Sequence, residues 1–259
     1  MIEALKAEAP QSGGLWRSED RLAALSHLPD ETADLILARP DKRAFLGGRC
    51  APDEMFRMTA DQLARLLKPG GVLAWHVRND RGAATFSTVP FRQVLYFQAI
   101  KLYSYDTILV KKDVPPSYMP LRYADAFESM YICSKEKTRP KTCNMLRDKP
   151  NKWAGTKTWG TLTKREVDGT LTRKKQKTIQ KFGVRTNVWS YGDVLPIESE
   201  LFGGEPASLS ERLAEDVIRT WTNAGDLVLA PFGSSKTISQ IARLLGRRWM
   251  SIYEGEAIV

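Results

Sequence analysis

The sequence predicts an α/β fold, a parallel sheet with helical crossovers that one strongly basic segment interrupts. Three observations carry this. Gly225–Tyr253 reads as strand, glycine-bearing loop, helix, turn and strand, a βαβ unit. Ala33–Ala38 and Val72–Val77 are short apolar runs with a helical pattern between them. Lys135–Arg185 holds 16 Lys/Arg against four acids, +12, which leaves −3 for the remainder of a chain of net charge +9.

The elements follow in order. Leu15–Leu28 opens the fold, where Ser18 or Asp20 can cap a helix with Leu22, Ala23, Leu25 and Leu28 at its apolar positions. Pro29-Asp30-Glu31 turns the chain into the strand Ala33–Ala38. Arg39, Pro40, Asp41 and Lys42 follow at its C-terminal end, the end of a parallel strand at which ligands bind. Thr59–Leu67 is helical, with Leu63, Leu66 and Leu67 on one face, and Lys68-Pro-Gly-Gly71 reads as the turn that ends it. His76 in the next strand is a packed side chain. Pro90–Leu102 reads as an amphipathic helix, Tyr105–Lys112 as a strand, Val114–Pro120 as an irregular loop and Arg122–Lys135 as the entry to a further strand. Gly183–Trp189 leads out of the basic segment and back to the core. Leu213, Ala214, Val217, Ile218 and Trp221 mark a helix before the closing βαβ unit. In that unit Leu227–Leu229 is the first strand, and Ile238, Ile241, Ala242 and Leu245 recur at helical spacing. Gly246 stands where a helix stops, and Trp249–Tyr253 is the last strand.

Composition bounds the function. A chain of 259 residues, 42% hydrophobic, holds one large α/β domain with an insertion or two small ones. No run approaches the roughly 18 apolar residues of a membrane span, and the N-terminus carries no secretory pattern, so a cytoplasmic protein with reduced thiols is expected. Cys50, Cys133 and Cys143 form no Cys-x-x-Cys pair and only His27 and His76 accompany them, which argues against a metal site. Trp153, Trp159 and Phe182 lie among the cations of the basic segment, with Gly155, Gly160 and Gly169 as joints. Cations neutralise phosphates and aromatic rings stack on bases, which favours a nucleic-acid partner over a solvated basic loop or a disordered linker. The densest patch is Arg173, Lys174, Lys175 and Lys177.

The stretch Asp226-Leu-Val-Leu-Ala-Pro-Phe-Gly-Ser-Ser-Lys-Thr237, closing on Leu245-Gly-Arg-Arg-Trp-Met-Ser-Ile252, resembles the cofactor loop of the DNA amino-methyltransferases. These S-adenosylmethionine-dependent enzymes modify N6 of adenine or N4 of cytosine. Their pattern is Asp-Pro-Phe-x-Gly-Ser-Gly-Thr-Thr, a helix, then Gly-Ile-Glu. Here Pro231, Phe232, Ser235 and Thr237 match. Ala230 stands for the leading Asp, Ser234 for the first Gly and Lys236 for the second. The family's ribose-binding acid falls on Tyr253, with Glu254 one place later. Leu28-Pro-Asp-x-x-x-Asp-Leu-Ile-Leu37 is similar to the segment that leads in this family into Asp-Pro-Pro-Tyr, or the same with Asn or Ser first. There a side-chain oxygen and a proline carbonyl accept hydrogen bonds from the amine of a flipped base, and the aromatic ring stacks on it. The matching positions are Arg39, Pro40, Asp41 and Lys42, of which only Pro40 agrees; Asp41 and Phe45 are candidate substitutes from displaced positions. Leu67-Lys-Pro-Gly-Gly-Val-Leu73, Arg122-Tyr-x-x-Ala-Phe-Glu128 and Glu205-Pro-Ala-x-Leu-Ser-Glu211 also resemble family segments.

The resemblance implies a Rossmann-like S-adenosylmethionine methyltransferase sheet with a basic inserted recognition segment. It divides the chain into a catalytic-motif half (1–134), a target-recognition insert (135–185) and a cofactor-loop half (186–259). It implies S-adenosylmethionine as cofactor through Ala230, Pro231, Phe232, Ser234, Ser235, Thr237, Tyr253 and Glu254. It implies double-stranded DNA as partner through Arg173, Lys174, Lys175, Lys177, Trp153 and Trp159. The altered positions imply a site-specific DNA methyltransferase whose catalysis is lost or impaired. A non-catalytic DNA-binding subunit that serves a second chain and an enzyme with shifted motifs are the alternatives. A phosphate-loop NTPase fits less well: Lys236 and Thr237 suit the end of that loop, but Ala230 and Ser235 replace its glycines.

Overall fold

The computed structural model describes residues 14–17, 21–40, 44–45, 51–78, 87–112, 123, 126–135, 139–158, 162–174, 176–191, 211–232 and 237–253, the side chains of 14–17, 162, 173, 174 and 253 excepted. They fall into two compact units, Met1–Asn144 with Asn187–Val259, and Met145–Thr186.

The larger unit is an eight-stranded sheet with helices. Its strands are β1 (Gly14–Arg17), β2 (Ala33–Ala38), β3 (Leu67–Val77), β4 (Tyr103–Lys111), β5 (Phe127–Ser134), β10 (Val188–Trp189), β11 (Leu227–Ala230) and β12 (Arg248–Tyr253). They are ordered β1-β12-β11-β2-β3-β5-β4-β10. All neighbours are parallel except β5, which runs antiparallel to both β3 and β4. Every residue of β11 is buried, and all of β2 except half-buried Asp34, as parallel strands covered on both faces require. The two strands are tied at their starts. Asp34 Oδ2 accepts from Lys68 Nζ at 2.6 Å and from the backbone N–H of Leu227 at 2.9 Å.

The helices are α1 (Arg21–Ser26), α2 (Pro52–Leu66), α3 (Val89–Ala99), α4 (Glu211–Trp221) and α5 (Thr237–Leu244). Helix α2 starts with proline in its first turn and with Asp53 and Glu54, which suit the positive end of the helix dipole. Phe56, Thr59, Ala60, Leu63 and Leu66 form its buried stripe. Leu213, Ala214, Val217, Ile218 and Trp221 do the same for α4. Helix α5 ends at Gly246, whose φ of +73° lets Arg247 N–H reach Ala242 O at 2.8 Å. Trp75 at the centre of the core donates from Nε1 to Gln93 Oε1 at 3.0 Å and packs edge-on against Phe56 and Phe97.

Three expectations change. Lys68–Gly71 is not a turn that separates helix from strand but part of β3, which begins at Leu67. The left-handed Gly70 (φ +71°) and a register shift against β2 between Ala33 and Leu35 absorb the kink. The opening Leu15–Leu28 holds a strand as well as a helix, because β1 finds a parallel partner in β12, with Leu15 beside Ser251, 251 − 15 = 236 residues on. Helix α3 stops at Ala99, and the strand after it starts at Tyr103.

The smaller unit is one antiparallel excursion. Strands β6 (Lys149–Pro150) and β9 (Phe182–Gly183) pair at its base, Lys157 bridges Thr178, and β7 (Leu162–Arg165) pairs with β8 (Leu171–Lys174). Its tip turns at Asp168-Gly169, where Gly169 has φ +85° and the Asp168 carboxylate accepts from the Thr170 N–H at 3.0 Å. Arg185 pairs with Asp148 near the base. Among the described residues, no helix is long and apolar enough to cross a membrane and no His/Cys/Asp/Glu group could hold a metal ion.

Candidate active site

The strand order fixes where a ligand would bind. From β11 the sheet continues through β12 to β1 on one side, and from β2 through β3 to β5 on the other. The crevice beyond the C-terminal ends of β11 and β2 is therefore a topological switch point. Both altered motifs lie there: Arg39 and Pro40 directly follow β2, and Ala230 ends β11 with Pro231 and Phe232 after it. Leu229 pairs with Ile36, so the two strand ends are neighbours.

Aromatic rings pack at this edge. Phe232 meets Phe45 edge-on with ring centroids 5.8 Å apart, and Phe45 stacks on Trp75 at 6.4 Å. The Arg21 guanidinium sits over the Phe232 ring at 4.3 Å, and its Nη1 donates to Ala44 O at 3.0 Å. Phe45, the aromatic candidate for base stacking, is thus engaged with Phe56, Trp75 and Phe232.

The charged part of the edge is built by register. The antiparallel pairs His76 with Met130 and Val77 with Ser129 put Glu128 next along the ladder, opposite Arg78. Val110 pairs with Glu128 on the other side, and the Lys112 N–H continues that ladder to Ala126 O at 2.8 Å. Four nitrogenous side chains consequently converge on one buried carboxylate. His76 Nε2 lies 3.0 Å and Arg39 Nη2 3.3 Å from Glu128 Oε2; Arg78 Nε lies 3.2 Å and Lys112 Nζ 4.0 Å from Oε1.

Burial alone would push the Glu128 carboxyl up. The contact and charge of His76, then the charges of Arg39 and Arg78, outweigh it and hold the carboxyl at about 2. Burial pushes His76 below its ordinary value, further than Glu128 raises it. At neutral pH the imidazole is therefore uncharged, with Nε2 beside the carboxylate. Burial also lowers Arg39, against the pull of Glu128, but a guanidinium stays protonated. Among the described residues, three cations thus face this one carboxylate.

The expected site residues divide as follows. Arg39 and Pro40 on one strand end and Ala230, Pro231 and Phe232 on the next share the crevice, and Thr237 opens α5. Tyr253 ends β12. Asp41, Lys42, Ser234, Ser235 and Glu254 lie outside the described residues, as do Lys175 and Trp159. In the smaller unit Arg173 and Lys174 belong to β8, Lys177 is exposed, and Trp153 is 54% exposed with Lys152 Nζ 5.2 Å from its ring. Sequence reasoning did not single out Glu128, Arg78 or Lys112, nor the role of His76. The signal was present: a Glu at the start of an apolar strand carries a charge into the sheet, which demands partners.

The comparisons with known proteins agree on one group. The family model described as DNA methylase matches residues 53–259. The orphan methyltransferase M.BamHII of Bacillus amyloliquefaciens is 38% identical over 200 residues, 75% of this chain and 74% of that protein. The type II methyltransferase M.BamHI of the same organism is 27% identical over 254 residues, 91% of this chain but 53% of its own length. In fold, the PvuII DNA methyltransferase (cytosine-N4-specific) aligns with a TM-score of 0.66 at 18% identity, covering 94% of this chain and 82% of its own. TTHA0409 of Thermus thermophilus, solved in complex with S-adenosyl-L-methionine, aligns at 0.60 and 18% identity, covering 92% and 88%.

Proposed function

Because the chain belongs to the family of DNA amino-methyltransferases, we propose that it acts on double-stranded DNA and that its own methyl transfer is lost or strongly impaired. One observation carries this reading. Arg39 occupies the position at which the family accepts hydrogen bonds from the target amine, and its guanidinium is held 3.3 Å from Glu128. A guanidinium has no acceptor, so it cannot draw an amine into line for transfer. It also places a cation where a sulfonium would approach, which is unfavourable at short range.

The cofactor positions fit poorly. None of those whose side chains are described carries a carboxylate: Ala230 offers a buried methyl group, Pro231 and Phe232 no acceptor, and Thr237 a hydroxyl. S-adenosylmethionine remains the cofactor the family implies. The basic residues of the smaller unit supply DNA binding through phosphate contacts, and Trp153 supplies a stacking surface. In this reading the chain works as a DNA-binding subunit whose catalytic partner is a second chain. The 38% identity to a protein named a methyltransferase supports the other reading, an active enzyme with displaced motifs.

Calorimetric titration with S-adenosylmethionine, with and without duplex DNA, separates the two. The expected result is no saturable binding in either condition and no label transferred to DNA. The variant Ala230→Asp combined with Arg39→Asp, Asp41→Pro and Lys42→Tyr is expected to gain both. Saturable binding and transfer by the natural chain would overturn the proposal.

A further inference from the structure

We propose that the β7–β8 hairpin of the smaller unit lies in the major groove of duplex DNA and reads base edges with one of its two faces, on which Arg165 is the specifying residue. This rests on the reading that the smaller unit binds DNA, and adds what phosphate contacts cannot supply, since they position a protein without reading sequence. The two faces of the hairpin differ. Side chains alternate along each strand, and in register Lys164 pairs with Thr172 and Arg165 with Leu171. Lys164, Glu166 and Thr172 share one face and satisfy one another there. Lys164 Nζ donates to Glu166 Oε2 and Thr172 Oγ1 to Glu166 Oε1, both at 2.8 Å. Thr163, Arg165 and Leu171 therefore hold the other face, and all three are exposed. The hairpin's second acid is tied into the turn, where Asp168 Oδ1 accepts from the Thr170 N–H at 3.0 Å and from Thr170 Oγ1 at 2.6 Å. The face of Arg165 is thus cationic and carries no carboxylate.

The dimensions suit that groove. It is about 12 Å wide and about 8.5 Å deep, and it admits a two-stranded β-ribbon. Residues two apart on a strand, as Thr163 and Arg165 are, stand about 7 Å from each other. That is about two base-pair steps of roughly 3.4 Å, so neighbouring side chains of this face can address separate base pairs. The chemistry selects bases over phosphates. The planar fork of an arginine matches the O6 and N7 acceptors of guanine. Leu171, the register partner of Arg165, is 62% exposed, and Val167 at the tip is fully exposed. Neither can use a phosphate, whereas the C5-methyl group of thymine offers an apolar contact in the same groove.

The test uses the full chain and a pool of duplexes with a randomised segment. Bound and unbound fractions are sequenced, and affinity for the unselected pool is measured across a salt series. Wild type is expected to enrich sequences that share a fixed G·C pair. Arg165→Lys keeps the charge and loses the two-pronged contact, so preference at that pair should fall about 10-fold. Its affinity for the unselected pool and its salt slope should stay as in wild type, because both report phosphate contacts. Thr172→Val, on the opposite face, should keep the wild-type preference. A wild type that binds no duplex would remove DNA binding by the smaller unit and this reading together. Duplex binding without sequence preference, a preference that Arg165→Lys leaves intact, or a loss equal on every sequence would overturn the base-reading role alone and leave DNA binding standing.

Discussion

Replacing Glu128 by Gln tests the buried carboxylate on which His76, Arg39, Arg78 and Lys112 converge. Its carboxyl titrates at about 2 in the folded chain against an ordinary 4.5. That difference corresponds to about 3 kcal/mol of stability at neutral pH. The sign follows from which state binds the proton. Below about pH 4.5 the unfolded chain takes up a proton that the folded chain refuses, so the contribution is full above 4.5 and fades as pH falls toward 2. At pH 3.5 roughly 1 kcal/mol of it is gone. His76 acts in the same direction from a higher starting point, because its folded value is also lowered, from 6.5. Its contribution is therefore lost as pH falls below about 6.5. Glu128→Gln removes the first effect and keeps the second. The variant is expected to be less stable at pH 7 by about 3 kcal/mol, since Arg39 keeps its charge and loses its anion. Between pH 5 and 3.5 its stability should fall by roughly 1 kcal/mol less than that of wild type. Urea melts at pH 7, 5, 4 and 3.5, followed by tryptophan fluorescence and far-UV circular dichroism, read both numbers. Stability curves for the two proteins that run parallel from pH 7 to 3.5 would refute the assignment of Glu128 as the low carboxyl.

Neutralising Arg173, Lys174, Lys175 and Lys177 together should weaken duplex binding on every sequence and reduce the slope of log K against log salt by up to about 3.6, at about 0.9 per phosphate contact. An unchanged slope would remove these residues from the DNA interface. Gly70→Ala is expected to cost about 1–2 kcal/mol, because φ is +71° and the new Cβ would lie 3.0 Å from Lys141 Cβ. Gly225→Ala, at φ +85° with nothing within 4 Å, carries backbone strain alone and serves as the control. Denaturation midpoints compare them, and an equal loss in both would show that the Lys141 contact is irrelevant.

The sheet was legible because its strands are short apolar runs and its helices carry strict stripes, as Leu213 to Trp221 does. What escaped depended on partners distant in sequence. Gly14–Arg17 has no strand signature of its own and exists as β1 through pairing with β12. The hairpin of the smaller unit hid behind its charge. Asp168-Gly169, flanked by Leu162-Thr-Lys-Arg and Leu171-Thr-Arg-Lys, is a turn signal between two β-compatible runs, but density of cations dominated the reading. The site was half legible. Arg39 was identified as a departure from a pattern, whereas its partner stands 89 residues on, and only the register of β3, β4 and β5 brings Glu128 to it.

That register also shows why the altered motifs belong together. Ala230 and Arg39 terminate adjacent strands, so each substitution acts on the same small region of space. Arg39 replaces a side-chain acceptor, Lys42 replaces an aromatic ring and Ala230 replaces an acid, offset only by Asp41 in place of a proline. Arg39 and Lys42 add donors, whereas Ala230 removes an acceptor without adding a donor. Loss of selection on a catalytic site would scatter charge in both directions, and a buried cation left without a partner would cost several kcal/mol. Arg39 instead has Glu128, with Arg78 and Lys112 on the other carboxylate oxygen.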